Sequence, residues 1–161
     1  MAELGILAGK RILAVDDEPD VLEVVGEELA TCEVVAAGDC ETARRLIATE
    51  RFDLIILDIM GVDGFALLEE SVKHKQPAAM LTAHALSIDN INRAIRLGAV
   101  SFLPKEELTR LPEVVAEILQ CLEEGRSHWE RLFSRLGPFF KERLGLEWED
   151  LERPRKPPYM Y

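Results

Sequence analysis

The sequence predicts a doubly wound α/β domain, a five-stranded parallel sheet with helices on both faces, followed by a short helical appendage. Three observations carry that prediction. Five short apolar runs each lead into an amphipathic stretch, and all five repeats fit within about 125 residues. The runs are near-continuous rather than alternating, as in parallel strands covered on both sides. Charge also divides the chain near Gly125. Residues 1–125 carry 24 acidic and 11 basic residues, net −13, whereas residues 126–161 carry 6 and 8, net +2.

The elements follow in order. "KRILAVDDEP" holds the first strand, Ile12 to Val15, stopped by acids and Pro19. Pro19 suits a first helical turn, and Val21, Leu22, Val25 and Leu29 share one face of the helix that follows. "EVVAAG" is the second strand, and "CETARRLIATE" a helix with Ala43, Leu46 and Ile47 inward. "FDLIILD" is the third strand and "FALLEESVKHK" the third helix. "PAAMLTAHA" contains the fourth strand, and "SIDNINRAIRLGA" is a helix begun by Ser87 and stopped by Gly98. "VSFLPK" and "LPEVVAEILQCLEE" complete the series as strand and helix five. Right-handed crossovers leave few topologies, of which the doubly wound sheet is the simplest.

Composition narrows the function. At 161 residues, 48% apolar and 30% charged, the chain suits one domain plus an appendage, residues 1–125 and 126–161. No apolar run approaches the ~20 residues that span a bilayer, and the N-terminus lacks the basic region of a signal peptide. A cytoplasmic protein without membrane insertion is the expectation. Cys32, Cys40 and Cys121 are scattered and odd in number, which suits reduced thiols rather than a zinc site. A net charge of −11 argues against nucleic acid as a partner.

In such sheets the ligand lies beyond the carboxyl ends of the strands. Strand one ends in Asp16-Asp17-Glu18, strand three in Asp58, strand four in Thr82, and strand five in Phe102-Leu103-Pro104-Lys105. Each has an ordinary reading alone: Asp17 or Glu18 as a helix cap, Asp58 as a turn residue, Thr82 as a strand-end hydroxyl, Phe102 as core, Lys105 as a solvated charge. Their joint placement at one sheet edge is what those readings leave unexplained. Asp16, Asp17 and Asp58 together repel, so the cluster takes up protons or binds a cation. Oxygen-only ligands in a small, open site suit Mg²⁺ shared with a phosphate. Lys105 then offers charge, and Thr82 a hydroxyl, to phosphate oxygens. A carboxylate so placed can attack phosphorus and become an aspartyl phosphate.

"VDDEP", "LDIM", "DGF", "MLTA", "LGA" and "FLPKE", spaced as they are, closely resemble the receiver domain of two-component response regulators over roughly residues 10–125. The resemblance implies a flavodoxin-like sheet of order 2-1-3-4-5. It implies Asp58 as acceptor of a phosphoryl group from a sensor histidine kinase or phosphotransfer protein. It implies Mg²⁺ held by Asp17 directly, Asp16 through water, Asp58 and the carbonyl of Met60. Lys105, Thr82 and the amide of Ala83 would hold the phosphoryl oxygens, and Phe102 would be the switch aromatic. Such a protein turns over its own phosphoryl group but is not a metabolic enzyme. On phosphorylation Thr82 would draw inward and Phe102 rotate into the vacated space, changing the face of helix four, strand five and helix five for a partner. His84 and Met60 would tune the lifetime of the phosphoryl group.

Two departures from the family pattern stand out. The loop Asp58-Ile-Met-Gly-Val-Asp-Gly is about two residues shorter than usual and lacks its proline, with Gly61 expected to supply the tight conformation. Glu106 stands where a proline commonly follows the lysine, and Pro104 precedes it instead. The first bears on the recognition surface beside the loop, the second on the placement of Lys105.

After Gly125, Trp129, Leu132, Phe133 and Leu136 fall at helical spacing, with Ser127 as the candidate cap and Gly137-Pro138 as the break. A second short helix through Leu144 and a proline-rich end follow. Both tryptophans, both tyrosines and three of six phenylalanines lie in this tail. Either it folds back onto the receiver, or it is a protein-binding or dimerisation appendage whose aromatics a partner covers. The leading reading is a single-domain response regulator signalling to an as yet unknown downstream protein, with homodimerisation open. A phosphorylation-independent receiver-fold scaffold is the alternative. A Mg²⁺-dependent phosphohydrolase is the third reading, poorly matched because its nucleophile would belong at strand one with a second acid two residues on.

Overall fold

The computed structural model describes residues 4–59, 61–82 and 87–132, together with positions 134, 138 and 141. The five expected strands are β1 (Arg11–Val15), β2 (Glu33–Ala37), β3 (Leu54–Asp58), β4 (Ala78–Thr82) and β5 (Ser101–Pro104). The helices between and after them are α1 (Pro19–Glu28), α2 (Cys40–Thr49), α3 (Gly64–Lys73), α4 (Ile88–Leu97) and α5 (Leu111–Glu124). All pairs are parallel and the order is β2-β1-β3-β4-β5, the flavodoxin-like order expected.

Two apolar layers sandwich the sheet. One gathers Leu13, Ile55 and Met80 with α2, α3 and α4, and the other gathers Ile12, Ile56 and Leu81 with α1 and α5. The alternation of successive strand residues between these layers is the pleat. β3 and β4 are buried at every position, which explains their unbroken apolar sequence.

Local chemistry sets the helix ends. The Asp39 carboxylate accepts from the Thr42 amide at 2.7 Å to start α2, and Ser87 accepts from the Asn90 amide at 3.1 Å to start α4. Gly98 ends α4 in the left-handed region, at φ 99°. The capping reading of Asp17 or Glu18 does not hold for Glu18: it occupies the N-cap of α1 but makes no side-chain cap bond. Instead Asp16 Oδ1 accepts from the Glu18 amide at 2.9 Å.

Several bounds differ from the sequence reading. Asp53 lies just before β3, where its carboxylate accepts from the Arg11 amide at 2.8 Å and its own amide donates to the Arg11 carbonyl at 2.8 Å. Lys105 leaves β5 and opens a 3-10 helix, Lys105–Arg110. A second 3-10 turn, Leu4–Leu7, was not foreseen; it buries Leu7 in the layer formed by α1 and α5.

Candidate phosphoryl site at the carboxyl ends of the strands

The parallel sheet delivers Asp16, Asp58, Thr82 and Lys105 to one edge. Asp58 is the last residue of β3, in register with Leu81, and Thr82 is in register with Pro104. Lys105 therefore enters the site directly from the end of β5. Its Nζ stands 2.9 Å from Asp16 Oδ2, 3.4 Å from Asp58 Oδ1 and 3.5 Å from Glu18 Oε1. Asp16 and Asp58 are buried, at 1% and 6% exposure, while Asp17 and Glu18 face solvent.

Burial raises the pKa of Asp16, and the nearby Asp58 charge adds to it; the Glu18 amide and Lys105 oppose this without cancelling it. Burial alone would lower the pKa of Lys105. Its contact with Asp16 and the charges of Asp58, Asp16 and Glu18 outweigh burial and hold the ammonium above its ordinary value. The site thus holds a tightly retained cation beside carboxylates whose charge is not fully compensated.

The residues fit a hard divalent ion. One oxygen each of Asp16, Asp17 and Glu18 lies within 4.8 Å of the others. Asp16 Oδ2 is buried without a well-aligned hydrogen bond, and its neutralisation rests on the Lys105 ion pair. An oxygen-only set with an exposed side is the chemistry of Mg²⁺. Asp58 faces Lys105 and stands outside that three-acid group.

The shortened loop works through proximity. The Gly61 amide donates to Asp58 Oδ2 at 3.2 Å. A Cβ on Gly61 would collide with the Asp17 carboxylate, and one on Gly64 with the Asp58 carbonyl. Among the described residues of the loop the left-handed one is Asp63, at φ 55°, and Gly61 is needed for the space beside Asp17 and not for an unusual backbone angle. That corrects the expectation from sequence. The Gly64 amide donates to the Ile59 carbonyl at 3.0 Å, closing the turn and starting α3.

Thr82 and Phe102 are both buried, at 2% and 0% exposure. Phe102 packs in the layer containing α3 and α4. Met60, Ala83 and His84 lie outside the described residues. Sequence reasoning undervalued Glu18, read only as a cap, although its adjacency to Asp17 already placed it at the same strand end.

The tail reading divides. Trp129 and Leu132 are buried against the receiver, at 3% and 1% exposure, so this portion folds back. Ser127 Oγ accepts from the Trp129 amide at 3.2 Å, but the helical turn begins one residue later than expected: its first backbone bond runs from the Leu132 amide to the His128 carbonyl, so His128 takes the cap position. Phe133, Leu136, the second short helix and the proline-rich end lie outside the described residues.

Among the described residues no helix is long and apolar enough to cross a membrane. The family model for the response regulator receiver domain matches residues 12–116. Response regulator protein PilR of Pseudomonas aeruginosa is 36% identical over 121 residues, covering 71% of this chain and 27% of PilR. Response regulator GtcR of Aneurinibacillus migulanus is 31% identical over 71% of this chain and 50% of its own length. The chain thus spans half or less of the curated relatives it is compared with here. A CheY-like receiver domain protein from Methanospirillum hungatei superposes with a TM-score of 0.65 at 29% identity, covering 70% of this chain and 95% of that one. With the strand order, the edge carboxylates and Lys105 already in place, these matches carry the conclusion that the chain belongs to the response regulator receiver domain family of two-component systems.

Proposed function

We propose that this chain accepts a phosphoryl group on Asp58 from a histidine kinase or phosphotransfer protein, in a Mg²⁺-dependent reaction, and signals by protein contact. The observation that supports this best is the setting of Asp58. Its carboxylate is rigidly presented at the end of a buried strand, between the Lys105 ammonium at 3.4 Å and the Gly61 amide at 3.2 Å. The same ammonium also contacts Asp16 and Glu18, which form a three-acid group with Asp17.

Asp16, Asp17 and Asp58, with the carbonyl of Met60, are the residues that would hold the ion. When bound, Mg²⁺ supplies charge neutralisation for the phosphoryl oxygens. A carboxylate oxygen of Asp58 attacks phosphorus, and the bond from phosphorus to the donor imidazole nitrogen breaks, its electron pair leaving with the imidazole. Lys105 holds one phosphoryl oxygen, and Thr82 and the Ala83 amide hold others. Positioning and charge do the catalytic work. Hydrolysis of the acyl phosphate later restores Asp58. A cytoplasmic location suits contact with such a donor.

Intact mass after incubation with Mg²⁺ and acetyl phosphate tests this. One added phosphoryl group is expected in the wild type, lost on chelation and absent from Asp58→Ala. Equal labelling of the variant would remove Asp58 as acceptor. No labelling of either would favour the scaffold reading.

A further inference from the structure

The segment after α5 crosses the open edge of the sheet. Its anchors are on and beside β5. His128 Nδ1 and Ser101 Oγ share a hydrogen bond of 2.7 Å, and His128 Nε2 lies 3.3 Å from Glu117 Oε2 on α5. The Trp129 indole N–H donates to the Ala99 carbonyl at 2.9 Å, just before β5 begins. All three polar side chains, His128, Ser101 and Glu117, are buried, at 2%, 0% and 4% exposure.

The path of the segment follows from these contacts. Trp129 and Leu132 join the apolar layer containing Phe102, whereas Leu103 belongs to the opposite layer with α5. Ser101 shares the Leu103 side by alternation. His128 thus meets β5 on the α5 side, and Trp129 and Leu132 pack on the α4 side. This accounts for an asymmetry between the sheet's two edges. β5 is buried at all four positions, while four of the five residues of β2 are exposed or half-buried. A covered edge is also protected from pairing with other chains.

The same short strand leads into Lys105, which contacts Asp16 and Asp58. We propose that residues 128–132 form a strap over β5 whose seating is coupled to the phosphoryl state of Asp58; this rests on the reading of Asp58 as phosphoacceptor. Phosphorylation replaces the single carboxylate charge of Asp58 with a phosphoryl group carrying nearly two, at the far end of β5, and redraws the contacts of Lys105 and Thr82. The strap's polar anchors are fixed by a close-packed edge that yields in discrete steps. Displacement of β5 therefore breaks the Ala99 and Ser101 contacts and releases the strap. A partner docking on the β5 edge competes with the strap, which makes the tail the first element to respond to the switch.

The test uses the full chain carrying Trp148→Phe, so that Trp129 is the sole tryptophan. Trp129 emission, amide exchange of residues 128–132 and intact mass are followed on one sample, with Mg²⁺ alone and with Mg²⁺ plus acetyl phosphate. Release predicts a red-shifted emission and exchange faster by at least ~5-fold, the lower end of ordinary coupling, in step with the mass gain. Neither change should occur in Asp58→Ala. A full mass gain with unchanged emission and exchange would show a static cover and overturn the coupling. Slower exchange would overturn release. No mass gain would remove the Asp58 reading and the coupling with it. Reciprocity supplies a second arm, because Trp129→Phe keeps an aromatic side chain but loses the indole N–H that donates to Ala99. If circular dichroism shows it folded, it should bind Mg²⁺-beryllofluoride more tightly, by roughly 5-fold; unchanged affinity counts against the coupling.

Discussion

Lys105 Nζ lies 3.4 Å from Asp58 Oδ1, and that contact joins the last residue of β3 to the residue following β5. The ammonium also stands 2.9 Å from the buried Asp16 Oδ2. Replacing it with an apolar chain of similar length leaves two buried carboxylates without their cation. Lys105→Met is therefore expected to lower folding stability by roughly 3 kcal/mol without Mg²⁺, read by urea denaturation. The loss should shrink when Mg²⁺ is added. Labelling by acetyl phosphate should fall by about 100-fold, as for other lost charge-stabilising donors. Unchanged labelling would mean that Lys105 only balances charge.

The two loop glycines separate fold from ligand binding. At Gly64 a methyl group meets the Asp58 backbone carbonyl, which cannot move without disturbing β3. Gly64→Ala should destabilise the fold by about 3 kcal/mol. At Gly61 the obstacle is the Asp17 side chain, which can swing away. Gly61→Ala should leave the unfolding midpoint nearly unchanged yet weaken Mg²⁺ binding by roughly 10-fold, measured by titration calorimetry. Equal stability losses at both positions would contradict this division.

Much of this site was legible in the sequence because a parallel sheet has one carboxyl edge. The acids after β1, Asp58, Thr82 and Lys105 could be placed together once the βα rhythm was recognised. The reason for Gly61 was not legible, because it depends on the position of Asp17 in space. Nor was the docking of the tail. Trp129 and Leu132 have helical spacing, but the segment is held by Ala99, which accepts from Trp129, and by Ser101 and Glu117, which contact His128, and only the fold brings these to that edge.

Asp39 carries the clearest pH signature outside the site. Its bonds to the Thr42 amide and hydroxyl hold its carboxyl below the ordinary value of 3.8. A depressed folded-state pKa contributes stability above the unfolded value, and that contribution is lost as pH falls through the folded one. Asp39→Ala should therefore have a lower thermal midpoint than wild type at pH 7. The gap should narrow steadily below about pH 4. Asp39→Asn, which can still cap α2, should show a smaller deficit that varies little with pH. A gap that widens in acid would reverse the assigned sign.

Gln76 looks unremarkable in sequence, a polar residue before Pro77, yet it is 1% exposed. Its Oε1 accepts from the Phe52 amide at 2.7 Å, and its Nε2 donates to the carbonyls of Ile47 and Glu50 at 2.8 and 2.9 Å. One side chain thus joins the end of α2 to the approach to β3. Gln76→Ala would strand these backbone groups in a dry site, at about 1–3 kcal/mol for each left unsatisfied. A net loss of roughly 3 kcal/mol is expected, since water can enter the space and rescue part of it. Gln76→Glu separates the two halves of the arrangement. Its ionised form keeps an acceptor for Phe52 but loses both donors and buries a charge, so it should be at least as damaging as alanine at pH 7. It should recover partly in mild acid, once the carboxyl can protonate and donate. Equal stability of Gln76→Glu and wild type at pH 7 would mean that the two donor bonds contribute little, and that Phe52 alone accounts for the burial of this glutamine.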